Sequence, residues 1–138
     1  MFLLDTNVVS ELRKAQIADA NVVAWAESES ASSLFLSVIS VLEIETGILL
    51  LERRDAVQAA VLRNWLDAHV LPAFSDRILP VDTAVARRCA NLHVPDRCTD
   101  HDALIAATAL VHGMTLATRN VDDFTPTGVE VLDPWKRQ

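Results

Sequence analysis

Four side chains able to offer hard oxygen ligands, Asp5, Glu43, Asp102 and Asn120, are scattered along the sequence, yet each stands where an apolar run gives way to a helix or a loop. Carboxylates and amides gathered at one place suit Mg²⁺ or Mn²⁺, which take few protein ligands and keep waters that a phosphate can displace. An ion so held activates a water and screens charge building on a phosphoryl group. Asp5 is the most telling of the four, because a carboxylate that follows a buried strand bears a desolvation cost unless it is partnered. Glu43 and Asp102 also have a plainer explanation. Ser40-x-x-Glu43 fits a capping box, and Thr99-x-x-Asp102 is a looser version of it, each acid then serving a helix N-terminus.

The surrounding pattern supplies elements that would position these residues. Phe2 to Leu4 is a short apolar run of the kind buried on both faces of a sheet, ending at Asp5, and Thr6-Asn7 can start a helix. A helix over Ala20 to Glu27 precedes a strand at Leu34 to Ser37, and Ser40 opens a second helix through Leu51. Helical spacing continues from Asp55 to about Val70, where Pro72 is expected to stop it. Ile78 to Val81 reads as a strand and Asp82 as the cap of a helix over Thr83 to Leu92; Pro95 to Cys98 reads as a loop. Thr99 caps a helix to His112 whose ALIAATALV stretch is apolar almost all round, which predicts a central buried helix ended by Gly113. Met114 to Thr118 is a strand, Arg119 to Gly128 a polar loop, and Val129 to Leu132 a last strand. Strands alternating with helices predict an α/β fold in which helices flank a central parallel sheet, with ligands at the carboxyl ends of its strands.

Length and composition bound the possibilities. At 138 residues the chain has room for one core, so residues 1–138 are expected to form one domain. Hydrophobic residues at 51% and charged ones at 22% describe a folded protein rather than a disordered one. The longest largely apolar run, Ala103 to Val111, is far short of the ~20 residues that span a bilayer, and MFLLDTN has no basic leader, so no membrane association and a cytoplasmic location are expected. Cys89 and Cys98 are too few for a disulfide framework and read as free thiols. The net charge of −7 argues superficially against nucleic acid. Setting aside Asp5, Glu43, Asp100, Asp102, Asp122 and Asp123 leaves thirteen acids against twelve bases, so the excess could belong to one site that a divalent cation would offset.

Four segments carry a family resemblance: MFLLDTNVVSEL, SVISVLEIETGI, DALIAATALVHGMTLATRN and GVEVLDPW. Together they resemble the PIN-domain ribonucleases, specifically the VapC-type toxins of bacterial toxin–antitoxin pairs, from the first residue almost to the last. The resemblance implies a three-layer PIN-like fold and a Mg²⁺- or Mn²⁺-dependent endoribonuclease. In it, Asp5 and Asp102 hold the metal, Glu43 is a further acid of the site, and Asn120 stands where family members often have Asp. It implies attack of metal-activated water on an RNA phosphodiester. It also implies a small VapB-like antitoxin that blocks the site and through which alone DNA is bound, and a homodimer.

Other residues take supporting places. Thr6, Asn7, Ser40 and Thr118 can orient carboxylates or a phosphate, and Arg119 is the best-placed cation for substrate phosphate. Asp100, two residues before Asp102, points about 200° away on a regular helix and is left out. Asp122 and Asp123 read as solvated loop acids, and His101 as an exposed helical histidine beside the site. Cys89, His93 and Cys98 form C-x₃-H-x₄-C but lack a fourth ligand for zinc. Trp25, Trp65 and Trp135 read as packing residues. Two rival functions start from the same acids. One is a haloacid-dehalogenase-like phosphatase, which would want a second Asp where Asn7 stands. The other is a noncatalytic protein-binding module whose acids merely cap helices.

Overall fold

The computed structural model describes residues 1–138, Ala15 through its backbone alone. Its strands are β1 (Phe2–Leu4), β2 (Leu34–Ser37), β3 (Ile78–Leu79), β4 (Thr115–Ala117) and β5 (Val131–Leu132). They form one sheet in the order β3-β2-β1-β4-β5, and every pair is parallel. Leu3 lies opposite Phe35 on one side and Leu116 on the other, so β1 is the central strand.

Side-chain alternation explains the layers. Leu4, Leu34, Leu36 and Ala117 share one core with Val8, Val22, Ile44 and Ile48, whereas Leu3 and Leu116 face a second core with Ile105, Ala106, Ala109 and Phe124. The first core is covered by α1 (Thr6–Leu12), α2 (Ala20–Ser28), α3 (Val38–Glu52) and α4 (Ala56–Trp65). The second is covered by α7 (Asp100–His112), against whose outer face α6 (Thr83–Leu92) packs through Val85, Cys89, Ala103 and Ala107. Helix, sheet and helix layers therefore bury both faces of the strands, as the apolar runs predict, and α7 is the buried helix expected. Among the described residues no helix is long and apolar enough to cross a membrane.

The elements depart from the sequence expectations in several places. Ser40 does not open a helix: α3 begins two residues earlier, directly from the end of β2, and Ser37 caps it by accepting the Ile39 amide at 3.0 Å. Pro72 does not stop the preceding helix. After α4 the ladder widens to a π-type stretch, Leu66–Val70, in which the Leu71 amide reaches back to the Leu66 carbonyl, and α5 (Leu71–Ala73) carries Pro72 onward. The wider turn accommodates a residue with no amide to give. Residues 119–128 are not a loop throughout. They contain α8 (Val121–Phe124) and a 3₁₀ turn, Thr125–Thr127, pinned by the fully buried Phe124. The last three strands are shorter than the apolar runs suggest, Pro80 and Val81 lying beyond β3. Gly113 ends α7 in the left-handed region at φ 66°, the conformation for which glycine is suited.

Candidate active site

Asp5 follows the central strand and caps α1, its Oδ1 accepting the Thr6 amide at 2.8 Å. The Thr118 hydroxyl, just past β4, donates to Oδ2 at 2.7 Å, and the Asn7 amide lies 3.4 Å from both Asp5 Oδ2 and Thr118 Oγ1. The carboxyl is buried, and desolvation drives its pKa above the ordinary carboxylate value. The Thr118 and Thr6 hydrogen bonds pull it down, while the charges of Glu43 and Asp102 push it further up. Glu43 and Asp102 are thus near enough to Asp5 for their charges to act on it. Three acids from three separate stretches of chain therefore lie close enough for their charges to interact.

Glu43 sits well inside α3, not at its start, so helix capping does not account for it. Its Oε1 accepts the Thr6 hydroxyl at 2.6 Å. Thr6 Oγ1 also lies 3.0 Å from Ser40 Oγ; its single proton belongs to the nearer, charged acceptor, which makes Ser40 the donor in that second bond. Ser40 is thus a fully buried support for Thr6 and Glu43. Asp102 lies in the first turn of α7 and accepts the Thr99 hydroxyl at 2.8 Å. Thr99 makes no side-chain bond to the helix amides, so the capping box the spacing suggests is not formed.

Asn120 follows Thr118 closely enough for its amide to donate to the Thr118 hydroxyl at 3.0 Å, and its exposed side chain does not cap α8. It lines a polar cleft with Arg119, Asp122, Asp123, Asp133 and Lys136. Arg119 is exposed there and stacks over the Trp135 ring, 5.1 Å from its centroid, while its backbone amide donates to Asn7 Oδ1 at 3.4 Å. Asp122 and Asp123 belong to the first turn of α8 rather than to a loop, and Asp123 shares a second cleft with Asp102.

Sequence reasoning undervalued two features. His101 is not merely an exposed histidine: its Nδ1 lies 3.2 Å from Glu43 Oε2. Only its place next to Asp102 hinted at this. Arg13 and Arg54 line a cleft of about 330 Å³ that opens beside Thr6 and Glu43, bringing positive charge to the acids without any motif to announce it.

Cys89, His93 and Cys98 do cluster. The Cys98 amide donates to His93 Nδ1 at 3.1 Å, so a neutral ring carries its proton on Nε2, the atom facing Cys89 Sγ at 3.8 Å and Asp100 at 3.7 Å. That nitrogen is a donor to its neighbours rather than a metal ligand. Asp100 also pairs with Arg97 at 3.1 Å and is turned away from the acids.

The donor set of the main site fits a hard divalent cation: one buried carboxylate, two more acids pressing on it, and no cation among the groups that shift it. Among the described residues no three acidic, histidine or cysteine side chains already converge on one point. Each acid instead accepts from its own hydroxyl donor, Asp5 from Thr118, Glu43 from Thr6 and Asp102 from Thr99.

A family model for the PIN domain matches residues 2–127. The chain belongs to the PIN-domain family. One PIN-domain relative, the VapC ribonuclease Y4jK of Sinorhizobium fredii, is 36% identical over 141 residues, covering 99% of each protein. Toxin FitB of Neisseria gonorrhoeae is 39% identical over 141 residues, 98% of this chain and 99% of its own. A solved structure of FitAB bound to an IR36 DNA fragment superposes with a TM-score of 0.89 at 37% identity, over 100% of this chain and 98% of that one. Membership of the PIN-domain family displaces the phosphatase alternative. At the position where a phosphatase needs its second acid, the Asn7 amide braces Asp5 and Thr118.

Proposed function

We propose that this chain is a Mg²⁺- or Mn²⁺-dependent endoribonuclease, acting as the toxin of a VapBC-type pair through a single site carried by residues 1–138. The observation that supports it most is the burial of the Asp5 carboxylate at the end of the central strand, held by the Thr118 hydroxyl and the Thr6 amide with Glu43 on the Thr6 hydroxyl, a desolvation cost that gives the fold no benefit unless a cation answers it. Asp5 and Asp102 are the residues that would hold the ion, Glu43 would orient it or its water, and Asn120 would fix an outer water or a second ion. A bound ion there would supply a Lewis acid that polarises a water and offsets charge on the phosphoryl group.

The chain's own residues supply the rest. Thr118 and Thr6 aim Asp5 by donating to it and oppose the burial that favours its proton, and the Asn7 amide braces it. Thr6 aims Glu43 by donating to it, and Ser40 braces Thr6. Arg119, stiffened by its stack on Trp135, offers a guanidinium to a neighbouring phosphate of the RNA. No side chain is needed as a covalent nucleophile.

The relatives extend the reading to partners. FitAB is a complex bound to DNA, and a corresponding small antitoxin would block this site and carry the DNA contact. A pocket of acids attracts an Arg or Lys from such a partner, and the cleft lined by Ile44, Ile48, Leu51 and Trp65 would take its apolar side chains. Leu49 and Leu50, both exposed on α3, offer apolar area for a second copy of the chain. A cytoplasmic location follows from action on cellular RNA. The test is cleavage of total RNA by the purified chain with Mn²⁺ or Mg²⁺, with and without chelator. Loss of cleavage in chelator and in Asp5→Ala is expected; undiminished cleavage by Asp5→Ala would overturn the assignment.

A further inference from the structure

We infer that His101 is a positioning residue, which grips Glu43 and fixes the first turn of α7 so that Glu43 and Asp102 present their carboxylates to the cleft at a set separation. The inference rests on the nuclease reading of the site. It starts from a weakness at the N-terminus of α7. Helix termini leave their first amides without intrahelical partners, and Thr99, at the capping position, spends its hydroxyl on Asp102 instead of on those amides. The Arg97–Asp100 pair nearby is largely exposed, and such pairs contribute little. The turn that carries Asp102 thus has no side-chain cap to hold its direction.

His101 supplies a hold of another kind. Its Nδ1 reaches across to Glu43 Oε2 at 3.2 Å, over 58 residues of sequence. Glu43 is itself anchored: α3 is a 15-residue helix whose Ile44 and Ile48 are buried in the first core, and Glu43 Oε1 already accepts the Thr6 hydroxyl from α1. The Glu43 carboxylate is therefore held by one donor on each oxygen, from two different helices. His101 and Asp102 are consecutive in α7, so their directions differ by a fixed ~100°. Setting the first sets the second. The contact ties the less secured helix end to the better secured one, and the quantity it controls is the spacing of two acids.

Four single substitutions in the full-length chain test this: His101→Ala, His101→Phe, His101→Asn and Asp5→Asn. Asparagine keeps a nitrogen donor near the place of Nδ1, and phenylalanine keeps the volume without the donor. The substrate is an RNA oligonucleotide carrying the cleavage site mapped for the wild type in total RNA. In His101→Ala and His101→Phe, kcat should fall by about tenfold or more with KM within about twofold, the pattern of a lost outer-shell support. Calorimetric titration with Mn²⁺ alone should show affinity reduced on the same order, about tenfold, and amides of the first α7 turn should exchange faster with solvent. His101→Asn should recover to within about threefold of wild type in all three measurements. If His101→Ala matches wild type, or His101→Asn is no better than His101→Ala, while Asp5→Asn is inactive, the positioning role is overturned and the nuclease reading stands. If Asp5→Asn retains full activity, or the wild type cuts no RNA, both fall together.

Discussion

Two clusters of metal-loving side chains lie near the two ends of one short stretch, and they behave in opposite ways. The loop cluster of Cys89, His93, Cys98 and Asp100 is closed upon itself: Asp100 meets Arg97 and His93, and His93 takes the Cys98 amide. The cleft cluster of Asp5, Glu43 and Asp102 is acids facing acids, relieved only by hydroxyls, amides and one histidine. Asp100 and Asp102 are two residues apart on the same turn, yet one belongs to each. Residue type and spacing do not separate them. What separates them is whether the partners already on hand complete the charge and hydrogen-bonding capacity of the group.

The sharpest way to break the contrast is to neutralise each acid in turn. Asp5→Asn and Asp102→Asn should each lower RNA cleavage by about 100-fold or more, the scale on which a lost electrostatic contact at a reacting centre acts. Asp100→Asn should stay within about threefold, since an exposed ion pair contributes little. Equal losses at positions 100 and 102 would mean the clusters are one.

Ligand linkage gives the next largest effect. Mn²⁺ at about 100 times its dissociation constant should stabilise the wild type by about 2.7 kcal/mol, visible as a rise in Tm, and leave Asp5→Asn unmoved. Zn²⁺ should shift the melting temperatures of wild type and Cys89→Ser by equal amounts; a shift present in the first and absent in the second would make the loop a metal site after all.

A smaller effect concerns pH in chelator. Because the Asp5 pKa is raised by desolvation, the native chain holds its proton over a range where the unfolded chain has lost it. Raising pH from the ordinary carboxylate range through the raised value therefore favours unfolding, and stability should decline across that window. Asp5→Asn should flatten the decline. A slope of the same size in the variant would assign it to another group. Least of all, Cys89→Ser should cost on the order of 1 kcal/mol in urea unfolding, from placing a hydroxyl against the α6–α7 core, and should leave cleavage unchanged.

How much of this was legible beforehand divides by distance along the chain. The central strand and its Asp5, the α6 cap at Asp82 and the end of α7 at Gly113 follow from neighbours within a few residues, and the structure agrees with each. Ser40 misled because a serine three residues before a glutamate satisfies the same local rule as a cap. The true cap, Ser37, was hidden in the last position of a strand that runs into its helix without a loop. α8 was unreadable because four residues with two aspartates show no helical stripe; it is fixed by burial of Phe124 against Leu116 and Ile105, contacts that only the fold creates. Asp5, Asp102 and Asn120 do stand near the junctions by which they were picked out, whereas Glu43 lies inside α3. What each one touches could not be read, since Thr118 lies 113 residues from Asp5 and His101 lies 58 from Glu43.

The placement of β1 in the middle of the sheet has a consequence for when the protein can become dangerous. Synthesis delivers Asp5 almost at once, but its amide awaits the Ala117 carbonyl, its carboxylate awaits Thr118, and β1 keeps a bare edge until Thr115 to Ala117 arrive. Nearly the whole message must be translated before the first acid has its setting. A chain that stops ahead of residue 115 lacks both the neighbouring strand and the Thr118 hydroxyl, so the order of the strands postpones assembly of the site until synthesis is nearly done.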